Sequence, residues 1–113
     1  MRLLVKDSDS GFLQVTTISG SREEADRIAT MLVDRRLAGC VQILGPIRSV
    51  YRWQGQIEHG EEWLCQIKTT GMLYSHVEAA IRELHSYDCP EIIATPIVVG
   101  SEVYLQWLSE QTS

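Results

Sequence analysis

At 113 residues, with 44% hydrophobic and 22% charged positions, the chain has the balance of an ordinary globular protein and room for one hydrophobic core, which excludes a disordered or fibrous architecture. A formal net charge of -5 argues against a generic electrostatic grip on nucleic acid or anionic lipid and tilts the choice of ligand toward cations. Cys40, Cys65 and Cys89 form no C-x-x-C pair and no apolar run approaches the roughly 20 residues of a membrane span, so a soluble protein of a reducing cytoplasm, with no membrane partner, is expected.

Lys6 to Gly11 is polar and turn-rich, so residues 1–11 read as a leader and residues 12–113 as a single domain. Phe12 to Ile18 has the β-branched and aromatic composition of a strand, ended by Ser19-Gly20-Ser21. Ser21 and Glu24 stand at capping-box spacing. Ala25, Ile28, Ala29, Leu32, Val33 and Leu37 then recur along one helix face, predicting a helix that stops near Gly39, a residue able to take a left-handed helix end. Cys40 to Leu44 opens a second strand, interrupted at Gly45-Pro46, where the missing amide proton of Pro46 suits an edge, bulge or bend.

Ile47 to Thr70 reads as a long hairpin: Val50, Tyr51, Trp53, Ile57, Trp63, Leu64 and Ile67 supply strand formers around a turn at Gln54-Gly55. Each arm is roughly twice the usual strand of about 5 or 6 residues, so its end should project beyond a compact sheet and need a partner. Ser75 and Glu78 repeat the capping-box spacing at a second helix stripe, Leu73, Val77, Ala80, Ile81 and Leu84, which Asp88-Cys89-Pro90 terminates. Glu91 to Val99 is β-rich, and Ser101 to Glu110 carries Tyr104, Leu105, Trp107 and Leu108 in a short helix. The order β-α-β-β-α-β plus a C-terminal helix is the split βαβ pattern of an α+β, ferredoxin-like sandwich, with four antiparallel strands and helices on one face. Its bare sheet face and overlong arms predict an oligomer.

His85, Cys89 and Glu91 offer imidazole, thiolate and carboxylate within one short stretch, and the first two types suit borderline or soft cations. The spacing H-x-x-x-C-x-E matches no rigid structural-metal motif, so a site built on it needs a donor from water, another subunit or a pocket residue. Also open is a structural reading in which His85 caps a helix end, Cys89 is a buried thiol and Glu91 meets a backbone group or a lysine. Cys40 and Cys65, set among Val, Ile and Leu, read as core residues. Tyr51, Trp53, Tyr87 and Tyr104 are amphipathic rings able to line a cleft between subunits. Lys68, at a strand end, is the charged group available to such a cleft or to a carboxylate such as Glu62 or Glu91.

Five stretches, Leu37-Ala38-Gly39-Cys40-Val41, Ser49-Val50-Tyr51-Arg52-Trp53-Gln54-Gly55, Glu61 to Thr69, His85-Ser86-Tyr87-Asp88-Cys89-Pro90-Glu91 and Tyr104-Leu105-Gln106-Trp107, together resemble the CutA family of divalent-cation-tolerance proteins. The resemblance spans Phe12 to Leu108. It implies a ferredoxin-like fold assembled as a homotrimer, with extended hairpin strands pairing between subunits, and an association with copper and other divalent metals but no enzymatic reaction. The expected function is therefore binding of a divalent ion, Cu(II) foremost, at His85, Cys89 and Glu91. Some members carry a cysteine at the end of the first strand, implicated in copper binding with the loop histidine and glutamate. Val15-Thr16-Thr17 stands there in this chain, a hydroxyl is a poorer ligand for soft copper, and Cys89 offers a compensating sulfur. The alternative is a trimeric small-molecule sensor or scaffold resembling PII signalling proteins, with Lys68, Tyr51 and Trp53 touching a ligand in the intersubunit cleft. No phosphate-binding glycine loop, G-x-S-x-G elbow or H-E-x-x-H helix occurs, so no catalytic residue is expected.

Overall fold

The computed structural model describes residues 11–113, so the expected leader, Gly11 apart, lies outside the described residues. The elements are β1 (Phe12–Ser19), α1 (Arg22–Asp34), β2 (Cys40–Trp53), β3 (Gln56–Thr70), a 3-10 turn (Gly71–Leu73), α2 (Tyr74–Leu84), β4 (Ile92–Ile97) and α3 (Glu102–Gln111). All strand pairs are antiparallel, in the spatial order β2-β3-β1-β4. This is the ferredoxin-like arrangement expected from the element order.

Alternation along β1 sets the two faces of the sheet: Leu13, Val15, Thr17 and Ser19 point inward, opposite Thr69, Ile67, Cys65 and Trp63 of β3. Onto that face α1 brings Ala25, Ile28 and Leu32 and α2 brings Val77, Ala80 and Ile81, closing one core. Each large aliphatic buried there contributes about 1.5 to 3 kcal/mol relative to an exposed position. Pro96 is tolerated because β4 is an edge strand, and Pro46 lies where the β2–β3 register shifts between Leu44 and Ile47.

The helix ends depart from expectation in instructive ways. Ser21 caps α1 by accepting the Glu24 amide at 3.1 Å, but the Glu24 carboxylate is buried and accepts from Ser19 Oγ at 2.8 Å instead of closing the box. The left-handed residue after α1 is Arg36, at φ 61°, and not Gly39. Leu37 N donates to Leu32 O and Arg36 N to Val33 O, the paired bonds of a Schellman end. A non-glycine residue there costs about 1 to 2 kcal/mol. Arg36 offsets this by donating from Nη2 to Glu110 O at 2.9 Å and from Nε to Ser113 O at 3.1 Å, at the carbonyl end of α3. Val33 is exposed, outside the buried stripe. Ser75 caps nothing: α2 begins at Tyr74, directly after the 3-10 turn.

The hairpin turn takes Gln54 at φ 49° and Gly55 at φ 80°, two successive left-handed residues whose twist matches that of the strands they join. Only Trp63 to Thr70 of β3 pair with β1; the stretch from Gln56 to Glu62 pairs with β2 alone. The arm therefore leaves the sheet as a two-stranded ribbon, and the described residues extend 44 Å along their longest axis. Val50, Trp53 and Ile57 are all exposed on it.

Candidate functional site

Where the ribbon leaves the sheet, it forms one side of an open groove of about 560 Å³, lined by Ile18, Tyr51, Trp53, Glu62, Tyr87, Asp88, Cys89 and Glu91 among others. β2 supplies Tyr51 and Trp53, β3 supplies Glu62, and the loop after α2 supplies the rest of the polar wall. His85 ties that loop down. Its backbone amide donates to Ile81 O and ends α2, and its ring, with the side chain fully buried, lies against β1. Nε2 is 2.7 Å from Ile18 O, a carbonyl that can only accept, so Nε2 carries the proton. Nδ1 then accepts the Tyr87 amide at 3.1 Å, with Glu24 Oε2 3.6 Å away. Both ring nitrogens are thus engaged within the chain, and His85 is not among the groove-lining residues.

Tyr87 is held in turn: its hydroxyl donates to Glu62 Oε2 at 2.7 Å. Burial, followed by the hydrogen bond to Glu62, pushes the phenol well above its ordinary range, so it remains a donor. Cys89 is exposed, not the buried thiol of the structural reading. The loop thus brings Cys89 and Glu91 to the groove with Tyr51, Trp53 and Tyr87 and leaves His85 behind it. Among the described residues, no three His, Cys, Asp or Glu side chains converge closely enough to hold a metal ion.

Lys68 and Tyr104 lie elsewhere. The Lys68 ammonium donates to Gln42 Oε1 and meets neither Glu62 nor Glu91. The reason is strand geometry: Glu62 is six residues along the same strand, about 20 Å at the usual rise, whereas Gln42 lies diagonally opposite in the β2–β3 register. Tyr104, on α3, has its hydroxyl 3.2 Å from Cys40 Sγ. That bond, with burial second, raises its pKa to about 12. Cys40 is only partly buried and stands opposite Lys68, so it is not the core residue expected. Cys65 is a core residue, opposite Ile43 on the inward face. Asp88 reads in the sequence only as part of a helix stop and Glu24 only as part of a cap; no local spacing announces that they face or support one groove.

Burial, with Asp26 adding to it, pushes the Cys65 thiol up to about 11 from 9.0. An acid whose folded pKa is raised loses protons first in the unfolded chain, so its contribution to stability is complete below pH 9 and declines as pH rises toward 11. Denaturant midpoints measured from pH 8 to pH 11 are expected to fall across that window, and Cys65→Ala to flatten the fall; an equal slope in both proteins would assign it to other groups.

Comparison with known proteins places this architecture in a defined group. The family model for "CutA1 divalent ion tolerance protein" matches residues 13–111. A divalent-cation tolerance protein CutA from Thermus thermophilus is 44% identical over 92 residues, 81% of this chain and 89% of the relative. Human protein CutA is 35% identical over 111 residues, 94% of this chain, which spans only 62% of that relative; it spans 50% of the Arabidopsis thaliana chloroplastic one. Among solved structures, the Thermus thermophilus CutA1 superposes with a TM-score of 0.88 at 40% identity, covering 90% of this chain and 99% of that one. A CutA1 from a psychrotrophic Shewanella gives 0.89 at 38%, covering 92% and 97%.

Proposed function

Because the chain belongs to the CutA1 divalent ion tolerance family, we propose that it binds divalent metal ions, copper foremost, as a homotrimer in a reducing cytoplasm, and so contributes to metal tolerance. The observation that carries the site is the lining of the groove: Glu62, Asp88, Cys89 and Glu91 face it, and among the described residues no lysine or arginine does. A thiolate beside carboxylates suits borderline and soft ions better than magnesium or calcium. The donor types fit such an ion, but among the described residues the donors of one chain do not close a site around it. Cys89 and Glu91 are therefore the protein ligands of an incomplete site, finished by water or by a neighbouring subunit. His85 is a positioning residue that fixes the loop carrying them.

The trimer is supported by the projecting ribbon, whose β2 edge, among the described residues, carries unpaired backbone groups beside exposed Val50, Tyr51 and Trp53. Three free thiols, one of them exposed, support the reducing compartment. Within one chain Lys68 donates to Gln42 and does not line the groove with Tyr51 and Trp53, which gives no support to a PII-like ligand site built on those three residues of one subunit.

Calorimetric titration of Cu(II), Zn(II) and Ni(II) into the wild type and a Cys89→Ser, Glu91→Gln double variant tests the site. Removal of both donors is expected to weaken binding at least tenfold, about 1.4 kcal/mol. Equal affinities in the two proteins would sink the assignment.

A further inference from the structure

The Glu24 carboxylate lies inside the chain, behind the groove and away from the ribbon, in a residue only 5% exposed. Among the described residues it accepts one hydrogen bond, from Ser19 Oγ at 2.8 Å, and pairs with no lysine or arginine. A carboxylate removed from water with so little compensation is costly. The nearest group able to become a second donor is Nδ1 of the fully buried His85 ring, 3.6 Å from Oε2.

That nitrogen has one lone pair and two claimants. While the ring is neutral, Nε2–H donates to Ile18 O and Nδ1 accepts the Tyr87 amide, which holds the loop down. Once a proton from solvent occupies Nδ1, the lone pair is gone and the new N–H faces Glu24. Nε2–H still reaches Ile18 O, but the Tyr87 amide has no acceptor left on the ring. The gain is a charge-assisted bond for a buried carboxylate; the loss is one neutral hydrogen bond at an exposed amide, which water replaces. The remaining groups around the ring are already engaged. The Tyr87 ring lies 4.9 Å away between centroids, with its hydroxyl on Glu62 of β3, and from α2 the Ile81 carbonyl takes the His85 amide.

We propose that Glu24 and His85 form a proton-operated latch on the loop from Ser86 to Glu91: neutral His85 closes it through the Tyr87 amide, and proton uptake turns Nδ1 to Glu24 and releases it. Both ring nitrogens act on groups other than Cys89 and Glu91, so the latch needs no metal. Only its consequence, that release loosens the two proposed ligands, rests on the metal reading.

NMR of isotope-labelled, chelator-treated full chain reads the latch directly, because the Tyr87 N–H···Nδ1 bond carries a nitrogen–nitrogen coupling that only an intact bond transmits. On acidification from neutral pH the coupling is expected to vanish as the His85 ring gains its second N–H, with helical circular dichroism unchanged. Glu24→Gln keeps an acceptor for Ser19 but removes the charge, so the coupling should survive to lower pH. Ser19→Ala takes away the carboxylate's other donor, so the coupling should be lost at higher pH than in the wild type. General loosening of the fold would move both variants the same way. A coupling that outlasts protonation of the ring, a ring that takes up no proton before the chain unfolds, or variants that shift together or not at all would overturn the proposal. Because the protein is metal-free throughout, a failure of copper binding at Cys89 and Glu91 leaves this test untouched.

Discussion

Leu108→Ala is expected to destabilise the folded chain by about 2 to 5 kcal/mol. Leu108 is the one buried residue of α3 and is fully inaccessible to solvent. Its side chain lies against the backbone entering β2: a Cβ added at Gly39 would come within 2.4 Å of Leu108 Cδ1. Close approach, and not helix termination, is therefore what Gly39 provides. Trp107, 38% exposed, reaches the same point with Cζ3 3.5 Å from a Cβ added at Gly39, and the polar ties of α3 are exposed hydrogen bonds, from Arg36 to Glu110 O and Ser113 O and between Tyr104 and Cys40. Each is worth about 1 kcal/mol or less, too little to hold the helix once the leucine is gone. At a loss of this size the thermal midpoint should fall by on the order of 10 °C or more. The comparison needs one fixed protein concentration, because assembly would itself shift the midpoint. A loss below about 1 kcal/mol would show that α3 is held by something other than this contact.

Removal of the projecting ribbon is expected to dissociate the proposed trimer without unfolding the domain. Ile47 and Glu62 are paired across the strands, so an Asn-Gly turn joining them in place of residues 48–61 closes a shorter hairpin in the same register. None of the residues that build the core, among them Leu13, Val15, Ile28, Leu32, Ile67 and Ile81, lies on the excised segment, and β3 keeps its pairing with β1. Helical circular dichroism should therefore persist while the mass by light scattering falls from that of a trimer to that of a single trimmed chain. The unfolding midpoint, expected to rise with protein concentration in the full-length chain, should lose that dependence in the trimmed one. A trimmed chain that retained a trimer's mass would show that the ribbon is not what holds the subunits together.

The features legible in the sequence are those that depend on neighbours along the chain. β-branched and aromatic composition located β1 and the hairpin, and helical spacing located α1 and α2, because the residue types and spacings that favour a strand or a helix also supply the side chains that reach the core. Gly55 marked the turn, since the backbone there requires a left-handed residue. The loop from His85 to Glu91 was visible as a concentration of chemically versatile side chains, and two of its three candidate ligands do face the groove.

What the sequence by itself determined, then, was the order of elements, the overlong hairpin and the family to which they belong. Which groups meet was decided only by tertiary structure. Strand register gave Lys68 to Gln42 and carried Glu62 to Tyr87. The packing of α2 against β1 turned the His85 ring inward onto Ile18 O, so that the most conspicuous metal-ligand type in the loop became its anchor. Arg36 took the left-handed turn because α3, distant in sequence, presents carbonyls to its side chain, while Gly39 was needed for the approach of Leu108. Local periodicity encodes the direction in which a side chain points; the partner waiting there comes from another part of the chain, and no spacing between neighbours contains it.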